Sequence, residues 1–131
     1  RKVASGGELS RISLAVKMVA RGLNGSTTQV FDEVDAGIGG ATATAVGSLL
    51  KRLSEGSQAL CVTHLAQVAV FSNRQLQVAK DTTSNLSTVT ASELDQDQKV
   101  DEVARMLGGQ LSDQSRAHAQ ELIQEATAAR H

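Results

Sequence analysis

Two carboxylates stand side by side at the end of a short β-prone run, Gln29-Val30-Phe31-Asp32-Glu33. At the carboxyl end of a parallel strand they would face the crevice where α/β sheets usually hold ligands. Successive side chains of a strand alternate in direction. One carboxylate can therefore face a Mg²⁺ while its neighbour points at a water. The plainer reading is a polar strand end feeding a loop.

Ser5-Gly6-Gly7-Glu8 is a second candidate. Ser-x-x-Glu is a capping box that starts a helix. Two glycines directly before a helix also leave its first N–H groups uncovered at the positive end of the dipole. That makes an anion site compatible with the cap. Val62-Thr63-His64 is a third. A histidine at the carboxyl end of a second strand could donate to a phosphate oxygen, or could be a satisfied structural histidine. Cys61 and His64 form a C-x-x-H, but Cys61 is the only cysteine, so zinc is not expected.

Other motifs fail. Gly37-Ile38-Gly39-Gly40-Ala41-Thr42 approaches G-x-G-x-x-G, but Thr42 occupies the last position. The chain has no Gly-Lys pair, so a P-loop phosphate cradle is absent, and it has no G-x-S-x-G.

These residues need elements to position them. Leu9, Ile12, Val16, Val19 and Leu23 recur at helical spacing and predict a first helix with one apolar stripe. Arg11, Lys17 and Arg21 lie off that stripe, and Gly22, Asn24 and Gly25 end the helix. A strand follows over 28–31, then a Gly-rich turn over 37–40. A second helix over 41–53 carries Val46, Leu49, Leu50 and Leu53. Residues 59–62 are a buried-strand candidate, and a short helix is expected over 65–71. This alternation predicts an α/β fold around a parallel sheet. Residues 75–80 and 86–94 predict a hairpin. Two last helices are expected over 98–107 and 113–128, broken at Gly108-Gly109, with Ser112 as the N-cap of the second.

Composition sets the outer limits. The chain has 131 residues, enough for one domain or a piece of one. Hydrophobic residues are 40%, and with 11 glycines the composition is ordinary for a globular chain. Lys+Arg 13 against Asp+Glu 14 gives a net charge of -1, which suggests neither a basic nucleic-acid binder nor an acidic tail. Phe31 and Phe71 are the only aromatics, too few for a base-stacking platform. One cysteine excludes an intramolecular disulfide. No run of 18 apolar residues predicts a membrane span, and no apolar stretch follows Arg1-Lys2 as a signal peptide would require. The chain does not begin with Met and is expected to come from a longer protein. Charge is uneven, with five basic groups within residues 1–22 and five acids within 93–105. Two solvated helix faces of opposite sign would account for that.

Taken together, the three constellations resemble the ABC-type ATPase head. Ser5-Gly6-Gly7-Glu8 is similar to the signature motif, Val30 to Glu33 to Walker B, residues 35–40 to the D-loop, and His64 to the switch histidine. The runs VASGGELSRISLA, FDEVDAGIGG and VTHLAQVA, with ARMLGG towards the end, closely resemble the C-terminal head segment of the RecN family of bacterial DNA repair proteins, relatives of the SMC proteins. The resemblance covers nearly the whole chain. SMC heads usually continue Asp-Glu-Val-Asp with a D-loop of Ala-Ala-Leu-Asp type, and Gly39 stands where that last Asp would be. That departure favours the RecN family.

The resemblance implies a fold: the C-terminal lobe of an ABC/SMC-type head, with 1–131 an incomplete domain lacking the Walker A half and the coiled coil. It implies ATP and Mg²⁺ as ligands. Asp32 would hold Mg²⁺ through water, Glu33 would polarise the attacking water, and His64 would hydrogen-bond the γ-phosphate. Ser5 and the Gly6-Gly7 backbone would bind the γ-phosphate of a nucleotide held by the opposite head, with Glu8 among the residues of that nucleotide site. Asp35 and Gly37 would line the dimer seam, and Arg11 would face the nucleotide. The implied partners are a second copy of the head, the N-terminal Walker A half of the same polypeptide, and DNA, with no membrane. The implied location is the cytoplasm, on the nucleoid, in double-strand break repair and recombination. The chain alone is expected not to hydrolyse ATP. The alternatives are the head of an SMC or other ABC ATPase, or a non-catalytic dimerisation or DNA-binding module supported only by the basic residues within 1–22.

Overall fold

Short β-prone runs and helical stripes alternate along the chain, and the computed structural model, which describes residues 6–20, 28–83 and 85–129, arranges them accordingly. The order is α1 (Gly6–Val19), β1 (Thr28–Phe31), α2 (Gly40–Leu53), β2 (Gln58–Cys61), α3 (Ala66–Ala69), β3 (Leu76–Asp81), β4 (Thr88–Glu93), α4 (Gln96–Met106) and α5 (Asp113–Ala128). β1 and β2 pair in parallel, with Phe31 opposite Cys61. β3 and β4 form the antiparallel hairpin, with Leu76 opposite Glu93. The α/β expectation holds, and from β1 onward the element boundaries fall within about two residues of those read from the sequence.

Two cores hold these elements. Leu14 of α1, Phe31, Val34, and the Ala43, Val46, Leu50 and Leu53 face of α2 form the first, together with Val68. The second joins Ala66, Val70 and Phe71 to Val103 and Ala104 of α4 and to Ala119 and Ala126 of α5. Gly47 lets α2 approach α3 closely, because a Cβ there would run into the Phe71 ring and lie 3.0 Å from the Gln67 carbonyl oxygen. Lys99 is buried in α4 and donates to the Ser72 carbonyl at 2.7 Å. Burial, with Lys51 adding repulsion, pushes its pKa down. α4 starts with a capping box between Asp95 and Gln98, two residues earlier than the sequence reading placed it. Ser112 caps α5 as expected.

Two expectations about packing are corrected. The predicted stripe of α1 is not its buried face. Leu9, Ile12, Val16 and Val19 are each more than half exposed, Val19 at 88%, while Gly7 and Leu14 are buried. Leu23, with the helix stop at Gly22, Asn24 and Gly25, lies outside the described residues. The strand over 59–62 was expected to be buried, but β2 covers only one face. Leu60, its cross-strand neighbour Val30, and Val62 point away from α2 and are exposed. Periodicity identifies an apolar face without saying whether this chain supplies its cover.

Candidate functional site

Parallel pairing brings both strands to the same edge, so the segments after Phe31 and after Cys61 emerge together. The Val62 amide donates to the Phe31 carbonyl at 2.9 Å and carries the ladder one step beyond β2. Residues 32–35 and 63–64 thus meet although nearly thirty positions separate them.

The first segment turns sharply. β1 ends at Phe31, and Glu33 has φ +62°, the only positive φ among the described non-glycine residues. Such a conformation costs on the order of 1–3 kcal/mol and persists only where its surroundings impose it. Here the Ala36 amide closes a turn on the Glu33 carbonyl at 3.1 Å, and Ser10 Oγ of α1 donates to the Asp32 carbonyl at 2.9 Å. Asp32 and Glu33 are both exposed. Their directions are therefore set by this turn and not by strand alternation.

α1 lies directly against the turn. A Cβ on Gly6 would come within 2.6 Å of Glu33 Oε2. One on Gly7 would meet Ala36 Cβ at 2.8 Å and the Glu33 carbonyl at 3.0 Å. Both glycines thus serve a close approach. Arg11 donates through Nη1 to the carbonyls of Val34 (3.2 Å) and Ala36 (2.9 Å). Arg11 was expected to face a nucleotide; in this chain its Nη1 is engaged by the carbonyls of the adjoining loop. Ser5 lies outside the described residues. Glu8 is exposed in the first turn of α1.

Asp35 lies inside, 4% exposed. Its Oδ2 accepts from Thr63 Oγ1 at 2.5 Å and from the His64 amide at 3.0 Å, and lies 3.3 Å from His64 Nδ1. Asp35 was expected at a dimer seam; in this chain its carboxylate is turned inward to residues 63 and 64. Gly37, with φ +72° and open space around it, is exposed. Cys61, nearby, has its thiol pushed up to about 11 by burial first and then by the charges of Asp35 and Asp32. A thiol raised this far stays protonated at neutral pH, and the thiolate is the nucleophilic form.

The structure therefore brings Gly6, Gly7, Asp32, Glu33, Asp35 and His64 to one edge. Ser10 and Thr63 also belong to it and were missed in the sequence. Thr63 could have been suspected from its place beside His64, whereas Ser10 carries no sequence signal. Among the described residues, no three His, Cys, Asp or Glu side chains cluster as a metal cage. A Mg²⁺ that keeps its waters and binds phosphate needs only one or two carboxylates, and exposed Asp32 fits that demand.

No family model matches the chain. It is 49% identical to the DNA repair protein RecN of Vibrio cholerae over 123 residues, which is 93% of this chain and 22% of that protein. It is 47% identical to RecN of Streptomyces coelicolor over 98% of this chain and 23% of the relative. This chain resembles RecN. RecN of Bacillus subtilis is 41% identical over 95% of this chain and 22% of its own length. The chain thus spans under a quarter of the RecN relatives it matches. A solved chain from work on ATP-driven dimerization and DNA-stimulated activation of SMC ATPases aligns with a TM-score of 0.57. It is 21% identical, over 82% of this chain and 65% of that one. At that identity the likeness concerns the fold alone, and the RecN-like chain shares its fold with part of that solved chain.

Proposed function

We propose that this chain is the signature, Walker B and switch lobe of an ATPase head in a RecN-like DNA double-strand break repair and recombination protein. One observation carries the reading: the residues that the family resemblance picked out as separate motifs converge on one edge, with Gly6 against the Glu33 carboxylate and Asp35 against His64. Asp32 would hold Mg²⁺ through water. Bound there, Mg²⁺ would neutralise charge on the phosphates. Glu33 would polarise the attacking water, a role typically worth about 10²- to 10⁴-fold. His64 would donate to the γ-phosphate. Ser5 and the N–H groups at the start of α1, those of Gly6 and Gly7, would bind the γ-phosphate of a nucleotide held by a second copy of the head, with Glu8 beside them in the first turn. Donors aimed at developing charge are the main resource of phosphoryl transfer. Gly37 and the exposed turn around it would lie at the seam between heads.

The open faces support a missing half. Parallel sheets are found almost only with both faces covered. Here Val30, Leu60 and Val62 lie bare, as does the stripe of α1. The Walker A half of the same polypeptide would complete the sheet and bring the adenine's stacking partner. DNA would couple to the cycle in the full-length protein, which would work in the cytoplasm on the nucleoid. Among the described residues no helix is long and apolar enough to cross a membrane.

The DNA-binding-module alternative loses part of its support. Arg11 is engaged by loop carbonyls, and Lys17 Nζ lies 5.0 Å from the centroid of the Phe31 ring. Arg1, Lys2 and Arg21 lie outside the described residues.

The test is Glu33→Gln in the full-length protein. We expect ATP turnover to fall by about 10²-fold or more, with ATP-bound heads accumulating as dimers. Unchanged turnover would remove Glu33 from this role.

A further inference from the structure

Asp35 is the only buried carboxylate among the described residues, and no role in the chemistry above uses it. An ionised carboxylate is costly to bury unless donors replace the lost water. Two donors do so here, and the Nδ1 side of an imidazole faces the same oxygen. All three come from residues 63 and 64: the Thr63 hydroxyl, the His64 amide and the His64 ring. Thr63 Oγ1 also accepts from the Leu65 amide at 3.1 Å, where the chain enters α3. The carboxylate thus faces the ring and holds, through hydrogen bonds, the backbone that carries it and the turn that follows. From the other side, Arg11 holds the carbonyls flanking Asp35, those of Val34 and Ala36.

The His64 side chain is 77% exposed, and such a ring would otherwise exchange rotamers freely. The partner on one imidazole nitrogen decides what the other presents. With Nδ1 turned to Asp35, Nε2 is the nitrogen left for a ligand. We propose that Asp35 is a positioning residue that acts through His64, fixing the ring so that Nε2 meets the terminal phosphate of the bound nucleotide. This rests on the ATPase reading of the site and assigns Asp35 a role within its own head.

The test is a double-mutant cycle in the full-length protein, read as kcat and KM for ATP, with Asp35→Asn, His64→Ala and the pair. Asn keeps the size of the side chain and an oxygen for the Thr63 hydroxyl and the His64 amide, and removes the charge that faces the His64 ring. Asp35→Asn is expected to lower kcat on the order of 10- to 100-fold, as loss of an orienting partner of a functional imidazole does, with KM changed much less. In the His64→Ala background the same change should cost less than about twofold, because residues that act as a unit are not additive. Thr63→Val repeats the cycle without altering the carboxylate. It should give a smaller kcat loss that also vanishes when His64 is Ala, which keeps the test available if Asp35→Asn melts early. Equal losses in both backgrounds would make Asp35 merely structural and overturn the inference. So would a wild-type kcat in Asp35→Asn while Glu33→Gln abolishes turnover, a result that leaves the ATPase reading standing. If Glu33→Gln and His64→Ala both leave turnover unchanged, the two readings fall together.

Discussion

Gly6 and Gly7 are adjacent, yet they answer to different neighbours, and their substitution should separate function from folding. A methyl on Gly6 would press on Glu33 Oε2, the free end of a flexible side chain. Gly6→Ala should therefore leave the melting temperature of the full-length protein nearly unchanged while displacing Glu33 and lowering ATP turnover. A methyl on Gly7 would press on Ala36 Cβ and two backbone carbonyls. Gly7→Ala should force α1 off the loop and destabilise by about 1–3 kcal/mol, measured by denaturant unfolding. Equal thermal stability in the two variants would contradict this placement of α1. At this scale the candidate residues stand out in the sequence as local patterns, and the structure brings Gly6, Gly7 and Glu33 of those patterns together. The left-handed Glu33 and the inward Asp35 were not. Each depends on contacts with residues more than twenty positions away, Ser10 and Thr63 among them.

Helices and strands were read well where a single pattern decides them. The α5 cap at Ser112 is one case, and β1 over Thr28–Phe31 is another. The face of α1 was misread because its strongest stripe is not the one this chain covers. A polar link joins the hairpin to α4. Gln77 Nε2 donates to Glu102 Oε2 at 2.9 Å, and Arg105 donates to the same carboxylate at 2.8 and 2.6 Å. Hydrogen bonding from Arg105 first, with its charge and Gln77 assisting against partial burial, holds the Glu102 pKa below its usual 4.5. A depressed carboxylate stabilises the folded state above its unfolded value, and that contribution is lost as pH falls through the folded value. Melting temperatures followed from pH 6 down to about 3 should therefore drop less steeply in Glu102→Gln than in the unaltered protein. Identical acid limbs would show that the link contributes nothing.

The whole molecule carries an edge that we propose binds phosphate and faces that nothing in the described residues covers. The α/β order was legible from alternating periods, but the state of the sheet was not. A sequence pattern marks Val30 and Leu60 as apolar without revealing that, among the described residues, two parallel strands make up this sheet. The near-neutral charge likewise hid how the first helix spends its cations, with Arg11 on loop carbonyls and Lys17 over Phe31. The purified 131-residue chain is expected to show no Mg²⁺-dependent ATP turnover, since it has no phosphate cradle. Turnover that Glu33→Ala abolishes would contradict that expectation.

The central claim is that one copy supplies the signature end of α1 while the other supplies Asp32, Glu33 and His64. Mixing two inactive full-length variants, Glu33→Gln and Ser5→Arg, tests it most directly. In a mixed dimer one composite site would carry both defects and the other neither. ATP turnover should therefore reappear on mixing, at a level neither variant reaches alone. A mixture no more active than its components would contradict the shared site.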